Sequence, residues 1–410
     1  MEIKIANEIL TAGGSAELTA ANNELFRQQI GTALNRHTTV EIDLSRTTFM
    51  DCGRLGALIA LRKFTRGRNS VMRLVTGIGA SYQAAATARD MRKYPPPGQM
   101  VDVDGYRLHL NSRGEGSPSV VMDAGLGGSS LVWSWVQPEV AKVTRVCTYD
   151  RAGLGWSDPG PSPRTSRRIV EELRIALARA EVPGPYVLVG HSFGGFNVRL
   201  FAYLYPNEVA GLVLVDSSHE DQLSRFPESW IRWRERKYER YNLIGLLAPF
   251  GVGRMRAGPN SGLPAGLQDV ARALDARTSS YRSIYSEFLS FKESAAQVRE
   301  ARKSLSIPAI VLTAGAEFRH PGMTEHDWAH YSQVWKEMQK DLASGLPGSR
   351  HVLVNDSGHN IQMDQPEAVV TAVLEILKRV RGRSPDSSVG GTGRQSALSA
   401  LSNNACSRGG

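Results

Sequence analysis

Short apolar runs recur along residues 101–381, and they constrain the fold more than any other feature of the sequence. Runs of this kind are typical of parallel strands that are buried on both faces. Amphipathic stretches such as "SRRIVEELRIALARAEV" (166–182) separate several of them, which predicts an α/β fold with right-handed crossovers. The runs are "SVVMDAG" (119–125), "TRVCTYD" (144–150), "PYVLVG" (185–190), "GLVLVD" (211–216), "IPAIVLTAG" (307–315) and "RHVLVND" (350–356).

The regions on either side of these runs have a different character. Residues 1–93 alternate strand-like and helix-like segments and are predicted to form a separate small domain. The segment "YPPPGQM" (94–100) is predicted to be a linker, because three consecutive prolines fit neither a helix nor a central strand. Residues 101–111 predict a hairpin that turns at Asp104-Gly105. The Ser- and Gly-rich tail at 382–410 is predicted to be disordered.

The composition narrows the class of protein. The net charge is +9 over 410 residues, yet no long Lys/Arg run and no zinc or helix-turn-helix motif accompanies it, so no nucleic-acid partner is predicted. Three cysteines, at positions 52, 147 and 406, are too few for a disulfide framework. No segment has the ~18–20 apolar residues of a membrane-spanning helix or the apolar core of a signal peptide. We therefore expect a cytoplasmic protein.

A serine lies between glycines where one of the apolar runs ends. Gly190-His191-Ser192-Phe193-Gly194 fits the G-x-S-x-G pattern at a strand-to-helix turn, which exposes the serine hydroxyl above the sheet. His191 is expected to be structural, whereas the Phe193 N–H can stabilise an oxyanion. The alternative is a glycine-rich turn with an incidental serine.

A serine nucleophile needs a base and a carboxylate to orient that base. His359 follows the last apolar run and is the candidate base. In this class of site the acid falls between the serine and the histidine along the chain. Asp216 and Glu317 both satisfy that order, and both remain candidates.

Four motifs make residues 101–381 resemble the α/β-hydrolase superfamily. They are "DAGLGGSSLVW" (123–133), "YDRAGLGWSD" (149–158), "VGHSFGG" (189–195) and "SGHNIQMDQPE" (357–367). The resemblance implies a mostly parallel sheet with helices on both faces, an oxyanion hole formed by the backbone N–H groups of Leu126 and Phe193, and neither a metal nor an organic cofactor. The superfamily's commoner acid position holds Phe318 here, with Glu317 one place early, so the other acid position used in the superfamily, Asp216, is preferred.

The resemblance also implies a helical cap over the site at about residues 219–306. This segment contains "WIRWRERKYERYNLIGLLAPFGVG" (230–253), where Trp230, Trp233, Tyr238 and Tyr241 lie among arginines. One interpretation is an aromatic, basic roof over an acyl pocket that steers anions. The other is a cap whose aromatic residues pack its own core.

The first domain carries a second resemblance. The segment "EIDLSRTTFMDCGRLGALIAL" (41–61) is similar to the STAS domain of anti-sigma-factor antagonists and sulfate transporters. Cys52 stands where the antagonists have a phosphorylated serine, and Arg54 replaces the usual glycine. The resemblance implies a regulatory or docking module that binds a protein partner.

Together these features predict an enzyme that cleaves small carboxylic acyl esters. Ser192 would attack, His359 would be the base, and Asp216 would orient the histidine. A serine at 192 argues against haloalkane dehalogenases and epoxide hydrolases, which need an aspartate nucleophile. The alternative is a stress or sigma-factor signalling component whose hydrolase domain senses or processes a small ligand.

Overall fold

The computed structural model describes residues 2–6, 9–13, 39–43, 71–75, 78–256, 260–316, 319 and 322–382. Its strands form one sheet of four and one of eight. Among these residues, no helix combines the length and the apolarity needed to cross a membrane.

The smaller sheet has the order β1-β2-β3-β4. The strands are Glu2–Ala6, Ile9–Gly13, Thr39–Asp43 and Val71–Val75. The first two pair antiparallel, and β2, β3 and β4 pair parallel. The predicted strands at 39–44 and 70–75 correspond to β3 and β4. Cys52, Arg54 and the tail at 383–410 lie outside the described residues.

The larger sheet has the order β12-β11-β10-β9-β7-β8-β6-β5. The β5–β6 and β6–β8 pairs are antiparallel, and the remaining pairs are parallel. Each predicted apolar run overlaps one of its strands, and the predicted hairpin corresponds to β5 and β6. The strands β5–β12 are Gln99–Asp102, Arg107–Arg113, Ser119–Asp123, Val146–Tyr149, Tyr186–His191, Val209–Val215, Ala309–Ala314 and Arg350–Val354.

Helices cover both faces of the larger sheet. In chain order, α1–α13 are Ile78–Lys93, Gln137–Val140, Ser166–Arg179, Gly194–Leu204, Gln222–Arg225, Glu228–Leu247, Val252–Arg256, Ala265–Asp275, Thr278–Leu289, Phe291–Ala301, Glu325–Ser344, Ile361–Asp364 and Pro366–Arg381. Side chains from α3, α4 and α10 pack with Leu188 and Leu214 on one face. Side chains from α13 pack with Val187, Val189 and Val213 on the other. Each buried aliphatic side chain contributes roughly 1.5–3 kcal/mol.

Helices α5 to α10 lie between β10 and β11, where the cap was expected. Helix α1 packs against this region, although the sequence assigned it to the first domain. The Arg254 side chain on α7 donates to Gln83 Oε1 at 2.9 Å and to Thr87 Oγ1 at 3.1 Å, and it pairs with Asp90. Gln83 in turn donates to the Ala276 carbonyl at 2.9 Å.

Candidate active site

Ser192 lies in the sharp turn between β9 and α4. Its φ of 51° is in the left-handed region, where non-glycine residues are uncommon. Backbone hydrogen bonds fix this conformation: the Ser192 N–H donates to Val215 O at 3.1 Å, and the Ser192 carbonyl accepts from the Gly195 and Ser218 N–H groups at 2.9 Å each. The turn therefore holds the serine at the ends of β9 and β10.

The flanking glycines are required because the turn is crowded. A Cβ atom at Gly190 would lie 2.5 Å from Val198 Cγ2. A Cβ atom at Gly194 would lie 2.5 Å from the Asp123 carbonyl oxygen. The second contact shows how closely the start of α4 approaches the loop after β7.

Asp216 directly follows β10, has a φ of 41°, and is buried. Its Oδ1 accepts hydrogen bonds from the Ala314 N–H and from Trp335 Nε1, each at 3.0 Å. Its Oδ2 lies 2.6 Å from His359 Nδ1. Because a carboxylate only accepts, the proton of this bond belongs to Nδ1, and in the neutral tautomer that makes this bond the lone pair is on Nε2.

His359 lies in the loop between β12 and α12, and its side chain is 45% exposed. Its backbone carbonyl accepts a hydrogen bond from His191 Nε2 at 2.8 Å, and the two imidazole rings are 4.7 Å apart. The histidine loop is thereby attached to the residue that precedes Ser192. No hydrogen bond joins Ser192 Oγ to His359 within the described chain.

His191 itself is buried and neutral. Burial, together with the neighbouring His359 imidazole, lowers the pKa of His191 well below its ordinary value. Its Nε2 donates to a carbonyl, so the neutral ring carries its proton there. These contacts agree with the structural role expected from the sequence.

The N–H groups of Leu126 and Phe193 donate no hydrogen bond within the part of the chain that the structure describes. The Gly125 carbonyl accepts from Arg151 at 2.7 Å and from the Gly128 N–H at 2.9 Å. In a trans peptide the C=O and the next N–H point in opposite directions. The Leu126 N–H therefore points away from Arg151 and is available to a ligand, as is the Phe193 N–H at the start of α4.

Arg151 positions the loop that contains Leu126, a role that the sequence analysis missed. It is buried and pairs with Asp123 at 2.6 Å and with Glu287 on α9 at 2.7 Å. Burial by itself lowers the pKa of a guanidinium, but the two carboxylates outweigh this and raise the pKa of Arg151. Its position inside the motif at 149–158 was the one available signal, because Glu287 is distant in sequence.

The Glu287 carboxylate also contacts the loop that contains Leu126 directly. Its Oε2 accepts a hydrogen bond from the Gly127 N–H at 2.8 Å. The cap therefore contributes an acidic side chain to the loop through α9.

Glu317, the alternative acid, lies outside the described residues. His326 and His330 are four residues apart on α11, but no group of three potential metal-ligating side chains occurs in the described part of the chain.

Comparisons with known proteins agree with this fold. Residues 120–372 match the model of the alpha/beta hydrolase family, and residues 1–85 match that of the STAS domain. The first match covers more than half of the chain, so the protein belongs to the alpha/beta hydrolase family.

Curated relatives match the chain in different proportions. The uncharacterized Bacillus subtilis protein YqjL is 25% identical over 277 residues, which cover 67% of this chain and 89% of YqjL. An uncharacterized Schizosaccharomyces pombe protein is 29% identical over 249 residues, which cover 59% of this chain. The match spans only 43% of the length of the Schizosaccharomyces pombe protein.

Solved structures show the same fold. An esterase from Thermogutta terrifontis has a TM-score of 0.51 at 23% identity and covers 69% of this chain and 98% of its own. The enol-lactonase from Burkholderia xenovorans has a TM-score of 0.50 at 19% identity, with coverages of 68% and 100%. The epoxide hydrolase CorEH has a TM-score of 0.53 at 17% identity, with coverages of 69% and 99%.

Proposed function

We propose that the chain is a serine hydrolase that cleaves carboxylic esters through Ser192, His359 and Asp216. The observation that carries this proposal is the 2.6 Å hydrogen bond between His359 Nδ1 and Asp216 Oδ2 beside the turn that holds Ser192. It leaves Nε2 with a lone pair for general-base catalysis. The free N–H groups of Leu126 and Phe193 complete the set of groups that acyl transfer requires.

The reaction then follows the geometry. Ser192 Oγ attacks the acyl carbonyl while His359 Nε2 takes the hydroxyl proton, and the Leu126 and Phe193 N–H groups bind the resulting oxyanion. His359 returns the proton to the leaving alcohol as the ester bond breaks, which leaves an acyl group on Ser192. His359 next takes a proton from water, the hydroxide attacks the acyl carbon, and Ser192 recovers its proton from His359 as the acid leaves. The site needs no metal or cofactor for these steps.

The contact between Ser192 Oγ and His359 Nε2 forms in the substrate complex. Catalytic hydrogen bonds are often long or misaligned in the free enzyme and tighten when substrate binds. The exposed His359 ring has room to adjust while Asp216 holds its other nitrogen.

The nucleophile is tested with p-nitrophenyl butyrate. Ser192→Ala is expected to lower kcat by roughly 10⁴- to 10⁶-fold, because no other group replaces the attacking oxygen. Ser224→Ala, which removes an exposed hydroxyl on α5, serves as the matched control and should keep the wild-type kcat. Wild-type turnover by Ser192→Ala would exclude the proposed nucleophile.

The acid is tested by comparing Asp216→Asn with Glu317→Gln. The amide at 216 would donate where the carboxylate accepts, so it would favour the wrong histidine tautomer and lower kcat by about 10³- to 10⁴-fold. Glu317→Gln should stay near the wild-type rate. The opposite result would assign the acid to Glu317.

We further propose that residues 1–93 dock a protein partner, which the STAS match over residues 1–85 supports. The signalling alternative uses the same docking but does not require turnover by Ser192. The Ser192→Ala assay above distinguishes the two, and purification of the full chain from its own cells tests the docking that they share: one stoichiometric partner retained by Ser192→Ala supports it. A chain that purifies alone contradicts it. The cytoplasmic location stays a prediction.

A further inference from the structure

Arg234 on α6 is a buried cation for which the proposed mechanism has no use. Its side chain forms no ion pair and no hydrogen bond with any described residue, and its Nη2 is fully buried without a partner. The residue as a whole is only 8% exposed. Burying an unpaired charge costs several kcal/mol, so an unpartnered guanidinium is unusual away from a ligand site.

Aromatic rings surround the Arg234 guanidinium. Its central carbon lies 4.4 Å from the centre of the Phe291 ring, 4.7 Å from Phe288, 5.5 Å from Tyr238 and 5.9 Å from Trp230. Cation–π contacts of this kind offset part of the burial cost. They supply no hydrogen-bond acceptor for the N–H donors at the edge of the guanidinium.

Arg234 stays charged at neutral pH despite its burial. Burial lowers the pKa of Arg234 to about 10, and the nearby Tyr238 and Glu235 only partly oppose this. Burial also raises the pKa of Tyr238 to about 12, so the adjacent side chain is a neutral phenol and a potential donor. The buried carboxylate of Glu287 on α9 already pairs with Arg151.

The rings around Arg234 lead to the active site from the nucleophile side. The Phe291 ring is 5.8 Å from the ring of Phe193, which follows Ser192 and supplies one oxyanion N–H. Phe288 belongs to α9 beside Glu287, which contacts the oxyanion loop through Gly127. Arg234 is thus connected to both halves of the oxyanion hole.

The rings also lead to the histidine side. Trp230, one turn before Arg234, packs 4.6 Å from Phe226, and Phe226 packs 5.8 Å from Trp335. Trp335 donates to Asp216 and lies 6.4 Å from the His359 ring. Ring contacts thus connect the guanidinium to Phe193 on one side and, through Trp230, Phe226 and Trp335, to His359 on the other.

We propose that Arg234 binds a carboxylate carried by the acyl part of the substrate, so that the preferred substrates are monoesters of dicarboxylic acids. The planar guanidinium matches a carboxylate with two parallel hydrogen bonds, and the aromatic surroundings exclude the water that would weaken the pair. The inference rests on the proposed ester hydrolysis and adds the class of substrate. It also assigns a ligand to the basic, aromatic cap.

Two esters of equal length test the selectivity: mono-p-nitrophenyl glutarate carries a carboxylate where p-nitrophenyl pentanoate carries a methyl group. Arg234→Met is expected to lower kcat/KM for the glutarate ester by about 10- to 100-fold and to leave that for the pentanoate ester within a few-fold of the wild type. The matched control is Arg232→Met, which removes the same charge from an exposed pair with Glu228 on the same helix. It should change the ratio of the two kcat/KM values by less than about twofold.

Two further measurements make the test independent of folding and of turnover. Arg234→Lys keeps the charge without the paired donors and should lose part of the selectivity. Calorimetric titration of Ser192→Ala with monomethyl glutarate should show binding that weakens at least tenfold when Arg234→Met is added, whereas methyl pentanoate should not respond. The inference would be overturned if Arg234→Met and Arg232→Met had the same ratio of kcat/KM for the two esters. It would also be overturned if monomethyl glutarate bound equally well with and without Arg234. If the wild-type chain hydrolyses neither ester but the titration gives the expected result, the proposed function is refuted and the carboxylate site is not, because the titration does not depend on turnover.

Discussion

At the residue scale, the site depends on two residues at the ends of neighbouring strands, both of which have left-handed backbone conformations. Ser192 and Asp216 have φ values of 51° and 41°, and such conformations cost of order 1–3 kcal/mol each. Hydrogen bonds to Val215, Ser218 and Leu312 hold both backbones in place. This backbone strain accompanies the placement of the Ser192 hydroxyl and the Asp216 carboxylate at the ends of neighbouring strands.

The choice between the two acids shows what the sequence could decide at this scale. Spacing along the chain allowed both Asp216 and Glu317. Only the three-dimensional arrangement shows that Asp216 is buried and bonded to His359, since the two residues lie far apart in sequence. The sharp turn at Ser192 was easier to predict, because it requires glycines within a few residues of the serine.

His191 provides a prediction about pH. Its folded-state pKa is depressed, so the unfolded chain binds a proton below its usual pKa of about 6.5, whereas the folded chain does not. The free energy of unfolding should therefore fall as the pH drops below about 6.5, by at most about 1.4 kcal/mol per pH unit from this residue. His191→Gln can keep the donor to the His359 carbonyl and should flatten that part of the profile in urea titrations. Identical pH profiles for the variant and the wild type would contradict the neutral buried imidazole.

At the scale of elements, the contact between the start of α4 and the loop after β7 determines where the proposed oxyanion donors, the N–H groups of Leu126 and Phe193, lie. The apolar runs predicted the strands well, because a strand that is buried on both faces has a continuous apolar sequence. The ion pair between Arg151 and Glu287 was not predictable, since Glu287 belongs to none of the motifs and is distant from Arg151 in sequence. The contact between α1 and the cap was likewise not predictable, because Arg254 is distant in sequence from Gln83, Thr87 and Asp90.

Gly194 tests this contact. A Cβ atom there would press on the carbonyl oxygens of Asp123 and Ala124, at 2.5 and 2.7 Å, which the backbone can relieve only by moving. Gly194→Ala is expected to lower the free energy of unfolding by about 1–3 kcal/mol and to reduce kcat through displaced oxyanion donors. Gly266→Ala in α8 is the control, because nothing lies within 4 Å of its Cβ position, and it should be neutral or stabilising. Equal stability and equal kcat in the two variants would show that the approach is not tight.

At the scale of the whole molecule, α1 connects the chain's first part to the cap. The Arg254 guanidinium donates hydrogen bonds to Gln83 and Thr87 of α1 and pairs with Asp90 of the same helix. In the same region of the cap, α8 contacts α9, and Glu287 on α9 accepts a hydrogen bond from Gly127 in the loop that contains Leu126. A partner that binds near residues 1–93 would thus act on a helix that is packed against the cap.

Removing that guanidinium measures the strength of the connection. Arg254→Met should loosen α1 and raise hydrogen exchange across residues 78–93, consistent with the loss of about 1–3 kcal/mol of charge-assisted hydrogen bonding. Arg282→Met, an exposed arginine on α9, controls for the lost charge and should leave the exchange unchanged. If both variants exchange like the wild type, Arg254 does not hold α1 on the cap.

The central claim is that Ser192 is a nucleophile activated by His359. Reaction with a fluorophosphonate, followed by mass spectrometry of the digested chain, tests it most directly, because the reagent forms a stable adduct with an activated serine. We predict one adduct, on Ser192, that is absent in Ser192→Ala and forms far more slowly in His359→Gln. An adduct on another residue, or an unchanged rate in His359→Gln, would contradict the account.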